Sequence, residues 1–121
     1  MDKKYAGIYI HFPFCTTKCH YCDFYSITDR LDDIDKFVDC LIKEIKDNKK
    51  LKENLYLFDT IFFGGGTPSL LDSQHVEKIL ASLSQNYKLS SKIEITIESN
   101  PNELSLNKLK DLKASGVNRL S

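Results

Sequence analysis

Cys15-Thr16-Thr17-Lys18-Cys19-His20-Tyr21-Cys22 places three of the chain's four cysteines in the spacing C-x-x-x-C-x-x-C. Thiolates at this spacing on one loop suit bound iron and sulfur. A cubane of four irons needs four corner ligands, so a set of three thiolates leaves one iron open to an exogenous ligand. An open iron is a place for chemistry. Zinc is the competing reading, because Cys3His makes a closed tetrahedral site and His11 or His20 could supply the nitrogen. Spacing by itself leaves both open.

Other residues could serve such a centre. Gly64-Gly65-Gly66-Thr67-Pro68 is a stretch where a side-chain-free backbone lets a ligand approach and leaves amides and carbonyls available to it. It matches neither G-x-G-x-x-G nor a P-loop, and its plain reading is a tight strand-to-helix turn. Glu98 ends an alternating stretch on the polar side, where a carboxylate can accept from an ammonium or a hydroxyl; a solvated rim residue is the alternative. Tyr9 and Tyr21 flank and interrupt the cysteines, and aromatics in such places usually pack.

These residues need elements to hold them. Ile8-Tyr9-Ile10 predicts a short strand with the cysteine loop at its C-terminal end, and Thr60-Ile61-Phe62-Phe63 a second strand running into the glycines. Ile93, Ile95 and Ile97 alternate with Glu94, Thr96 and Glu98, which predicts a third strand with one apolar and one polar face. Between them, Ile34, Phe37, Val38, Leu41, Ile42 and Ile45 mark a helix from about Asp33 to about Lys49. Val76, Ile79, Leu80 and Leu83 mark a second, capped by Asp72 or Ser73, and Leu106, Leu109 and Leu112 a third that ends near Gly116. Asn118 to Ser121 begins a fourth strand. Cys40 falls opposite the apolar stripe of the first helix and reads as a surface thiol; His75, in the first turn of the second, reads as solvated. Strand-helix alternation at this pitch predicts an α/β fold with right-handed crossovers and a parallel sheet. A polar inner face carrying Glu94, Thr96 and Glu98 suits an open, partial barrel around a polar ligand better than a closed barrel with an apolar core.

Composition narrows the classes. At 121 residues and 41% hydrophobic content the chain suits one ordinary domain, and 17 basic against 17 acidic side chains give no field to gather polyanions, so nucleic acid is not an expected partner. No apolar run approaches a transmembrane span. The N-terminal stretch is too short for a signal h-region, and clustered cysteines without an export signal read as thiols for metal in a reducing cytoplasm.

Four motifs in order, Gly7-Ile8-Tyr9-Ile10-His11-Phe12-Pro13-Phe14-Cys15 with its cysteines, Phe63-Gly64-Gly65-Gly66-Thr67-Pro68, Ile97-Glu98-Ser99-Asn100-Pro101 and Gly116-Val117-Asn118-Arg119-Leu120-Ser121, resemble the radical S-adenosylmethionine (SAM) superfamily. Within it, they resemble the oxygen-independent coproporphyrinogen III oxidase and its heme-chaperone relatives. The resemblance implies that Cys15, Cys19 and Cys22 hold three irons of a 4Fe–4S cluster and that the amino and carboxylate groups of SAM chelate the fourth. It further implies one-electron cleavage of the sulfonium, with the protein orienting and shielding the reaction. Gly65, Gly66 and Thr67 would contact the methionyl end of SAM, Glu98 and Tyr9 would touch the same cofactor, and Tyr21 would lie beside its adenosine or a second cofactor molecule. Glu94 has no such match and reads as structural or solvated. Arg119 matches a family motif but is assigned no role. The family uses a six-unit partial (β/α) barrel, of which about three units fit here. Residues 1–121 are therefore expected to be an incomplete core that continues beyond Ser121, with its last strand an unprotected edge.

Two departures separate the branches. Phe24 stands where the oxidase has a fourth cysteine, and few residues precede the first strand where the oxidase has an extension. Both favour the heme-chaperone branch, with heme or porphyrinogen and heme-accepting proteins as partners. The oxidase is the alternative, and a zinc-stabilised structural module a second one.

Overall fold

The structure, a computed structural model, describes residues 4–13, 33–48, 56–99 and 104–121. Four strands, β1 (Lys4–Phe12), β2 (Tyr56–Gly65), β3 (Leu89–Ile97) and β4 (Arg119–Leu120), form one sheet in the order β1-β2-β3-β4, every pair parallel. Helices α1 (Ile34–Asp47), α2 (Ser73–Asn86) and α3 (Leu106–Ser115) fill the crossovers, with a single 3-10 turn at Pro68–Leu70 before α2. Each strand lies beside its successor without reversal of order, which is the winding of a barrel wall and not of a doubly wound sheet.

β1 and β2 both start earlier than apolar runs suggest. Lys4, Tyr5 and Ala6 pair with Tyr56, Leu57 and Phe58, and the register then jumps so that Gly7 meets Thr60. Asp59 is the extra residue of a bulge. That one-residue irregularity breaks the alternation on which a strand is recognised, while the ladder continues on either side.

One face of the sheet is covered. Ile10, Phe12, Ile61, Phe63, Ile95 and Ile97 are buried with Val38, Ile45, Val76, Ile79, Leu83 and Leu112 from the three helices in a single cluster. Burial at roughly 1.5–3 kcal/mol for each large apolar side chain gives this layer its driving force. The stripe on α1 is as expected, with Ile34, Val38 and Ile45 buried and Phe37, Leu41 and Ile42 half-buried against them. Cys40 is exposed, as its place on the wheel requires.

Two expectations fail. Leu106, expected in the stripe of α3, is 66% exposed. It is the first residue of its helix, and side chains there lean back toward the N-terminus, past the part of the sheet that Leu112 covers. His75 is not a solvated surface residue, because its side chain is only 18% exposed and joins two helices. Its Nδ1 accepts the Asp72 amide at 3.1 Å, so Nε2 carries the ring proton and donates to Asp35 Oδ1 on α1 at 2.5 Å. An apolar-period reading assigns a face to a residue but not the helix that will lie against it.

Candidate cofactor site at the strand ends

The inner face, opposite the helices, is built in rows across the sheet. Gly7, Thr60 and Glu94 share one level; Tyr9, Phe62, Thr96 and Arg119 the next; His11 and Gly64 the one above. Glu98 follows Ile97 at the end of β3, half-buried, with its amide donating to the Phe63 carbonyl at 2.9 Å. The expected polar side is therefore present, with aromatic rings set into it. Glu94 is held by Arg119, Nη1 to Oε1 at 2.9 Å, which gives both residues a structural partner across β3 and β4.

Tyr9 is 58% exposed on this face. Its ring stacks on Phe62, centroids 6.0 Å apart and planes at 18°, and its hydroxyl lies 3.3 Å from His11 Nδ1. The glycine turn is joined to β1 as well as to β2. Gly65 adopts φ +114, and a Cβ there would stand 2.4 Å from the Phe12 carbonyl oxygen, so only glycine fits. The Gly66 amide donates to that same carbonyl at 2.6 Å. This corrects one expectation: the Gly66 amide is not free for a ligand but ties the turn to the C-terminal end of β1. Thr67 precedes the 3-10 turn and is half-buried, and Ser69 within the turn is 4% exposed with its hydroxyl unpartnered among the described residues. Behind the turn, Lys108 of α3 donates to the Leu71 carbonyl at 2.5 Å; burial lowers the pKa of this ammonium, against the opposing pull of Asp72 and Asp111.

Of the expected site residues, the fold thus brings Gly65, Gly66, Thr67 and Glu98 to the C-terminal ends of β2 and β3, and sets Tyr9 on the inner face of the adjacent β1, three residues before its end. Cys15, Cys19, Cys22 and Tyr21 lie outside the described residues, as do His20 and Phe24. The sequence marks Gly64 as part of the glycine run, His11 as a nitrogen donor for zinc and Phe62 as a strand residue, but not that the three surround Tyr9, since that contact depends on a register that the Asp59 bulge sets. A separate cavity of 540 Å³ between α3 and β4, lined by Leu109, Leu112, Val117 and Leu120 among others, contains none of the expected site residues.

Comparison with known proteins agrees with this fold. The chain is 41% identical over 117 residues to a heme chaperone HemW of Buchnera aphidicola, covering 95% of this chain and 31% of that protein. It is also 41% identical over 114 residues to the heme chaperone HemW of Bacillus subtilis, covering 93% of this chain and 30% of the relative. The chain therefore spans about a third of the length of these curated relatives. A solved structure described as "Coproporphyrinogen III oxidase (HemN) from Escherichia coli is a Radical SAM enzyme" superposes with a TM-score of 0.84 at 31% identity, over 98% of this chain and 27% of that one. The four parallel strands and their helices thus match part of a radical SAM barrel. Residues 9–121 match the radical SAM superfamily, and the chain belongs to it, in the family that unites the oxygen-independent coproporphyrinogen III oxidase with the heme chaperones.

Proposed function

We propose that this chain carries the cluster- and SAM-binding part of a heme chaperone, and that residues 1–121 are one portion of a core domain that continues in a longer protein. Radical SAM proteins in general use a 4Fe–4S cluster and SAM. Cys15, Cys19 and Cys22 hold the cluster, and Tyr9, Tyr21, Gly65, Gly66, Thr67 and Glu98 hold SAM. When bound, the two groups supply one-electron chemistry at a sulfonium.

The observation that carries this reading is the bond from the Gly66 amide to the Phe12 carbonyl. It joins the glycine turn to a backbone atom three positions before Cys15, so two motifs far apart in sequence share one anchor. The described residues fit the implied group. Glu98 offers a carboxylate to an ammonium or ribose hydroxyl, Tyr9 an exposed phenol, and the half-buried turn a surface without side chains at Gly65 and Gly66. A reducing cytoplasm suits the thiolates.

Phe24 in place of the oxidase's fourth cysteine, and the heme-chaperone relatives at 41% identity, support the chaperone over the oxidase. The likeness to a coproporphyrinogen III oxidase structure supports the second reading, an oxidase of porphyrin biosynthesis. Anaerobic reconstitution of the intact protein separates these. It should turn brown, lose that colour in Cys15→Ala, Cys19→Ala or Cys22→Ala, bind heme on titration, and leave coproporphyrinogen III unchanged in the presence of SAM and reductant. Sustained formation of protoporphyrinogen favours the oxidase. Stoichiometric zinc in a colourless native protein sinks both.

A further inference from the structure

Consecutive glycines close β2, and the structure separates their reasons. Gly65 is demanded by its backbone and by the Phe12 main chain against it. Gly64 faces no such demand, because its φ lies outside the left-handed range and the main chain would accept alanine. What a Cβ at 64 would meet is a side chain: Tyr9 Cε1 and Oη, each at 2.8 Å, and Phe62 Cε1 at 3.0 Å.

Tyr9 is consequently held from three directions although more than half of it is exposed. Its ring lies against Phe62, its far edge occupies the space that a side chain at 64 would take, and its hydroxyl sits beside His11 Nδ1. We infer that Gly64 is a positioning residue, whose missing side chain lets the Tyr9 ring lie across β2 with its phenol presented to the cofactor. Phe62 and His11 hold the ring in that orientation. The inference rests on the proposed contact between Tyr9 and SAM. An exposed tyrosine would otherwise sample several rotamers, and ordering it on binding would weaken affinity; here contacts with Phe62 and His11 and the open space at Gly64 favour one orientation before a ligand arrives, which lowers that cost.

The test uses the reconstituted intact protein, with equilibrium dialysis of labelled SAM, iron per chain and thermal unfolding measured side by side. Gly64→Ala should weaken SAM binding about tenfold with iron per chain unchanged, because the added methyl displaces the free end of a side chain and not the main chain. In a Tyr9→Ala background the same change should alter affinity by less than about twofold, since the displaced ring is gone. Equal losses in both backgrounds overturn the inference, as does undiminished affinity in Gly64→Ala. Should Gly64→Ala fail to fold, the double variant must fold if the ring is the obstacle, and failure of both is also a refutation. Tyr9→Ala binding as tightly as the native protein would instead overturn the contact assigned to Tyr9. In that case a melting loss from Gly64→Ala confined to the Tyr9 background would show that the seat exists without serving the cofactor.

Discussion

Tyr87 closes the C-terminal end of α1 from a different element. Carbonyls in the last turn of a helix have no intrahelical donor, and Ile45 is among them. The Tyr87 hydroxyl donates to the Ile45 carbonyl at 2.7 Å, with both residues buried. Tyr87→Phe keeps the ring, and with it the edge-on packing on Phe58 at 5.7 Å and 63°, so the substitution deletes one hydroxyl and leaves one buried acceptor unmatched. A typical hydrogen bond contributes about 0.5–1.5 kcal/mol net and an orphaned buried acceptor costs about 1–3 kcal/mol, which together predict a loss of about 2 kcal/mol. With a urea slope of about 1–3 kcal/mol/M the unfolding midpoint should fall by roughly 0.7–2 M. Far-UV circular dichroism of the intact metal-free protein reads it. The effect also has a pH signature. Burial, and secondarily the Glu44 carboxylate, raises the Tyr87 pKa above the ordinary 10.0. The folded state then holds the phenolic proton more tightly than the unfolded chain, so this stabilisation is fully present below pH 10.0 and is lost as pH rises through the folded value. The gap between native protein and variant should be constant near neutrality and close in alkali. A gap below about 0.3 kcal/mol, or one that widens in alkali, would refute the capping role.

Three further outcomes follow from the same geometry. His75→Ala removes the acceptor of the Asp72 amide and the donor to Asp35, and because Asp35 is 82% exposed the expected loss is modest, about 1 kcal/mol; an unchanged urea midpoint would show that the two helices do not depend on this bridge. Cys40→Ala should keep the iron content of the reconstituted protein and shift stability by only a few tenths of a kcal/mol, and any loss of iron would place this thiol at the cluster. Gly65→Ala forces a left-handed backbone onto a side chain that meets the Phe12 main chain, which should cost about 2 kcal/mol or more and lower iron retention because Phe12, three positions before Cys15 in sequence, shifts; near-native stability and iron would mean that the turn can relax.

Much of the architecture was legible because it repeats. The Ile93, Ile95 and Ile97 alternation and the stripes of α1 and α2 report burial directly, as a side chain's period in its own element decides which face it occupies. Where one residue interrupts the period, the reading stopped short, as at Asp59, whose bulge hid the first part of β2. Leu106 shows the opposite failure, an apolar residue in phase with its helix but placed beyond the sheet it would cover. Of the candidate site, the glycine run that ends β2 and the carboxylate that follows β3 stand out in the sequence, because a glycine run and an alternating strand are local features.

How those motifs meet is a matter of the sheet. The residues of the sequence determined that a three-cysteine motif follows one strand, a glycine turn ends the next and a carboxylate ends the third. Only the tertiary structure decided that Gly66 bonds the Phe12 carbonyl, that Tyr9 lies on Phe62 over Gly64, and that His75 bridges α1 and α2. The physical reason is that parallel strands pair through crossovers of many residues, so register is fixed by the bulge at Asp59 and by helices packing on the far face, neither of which leaves a mark at the positions that come into contact.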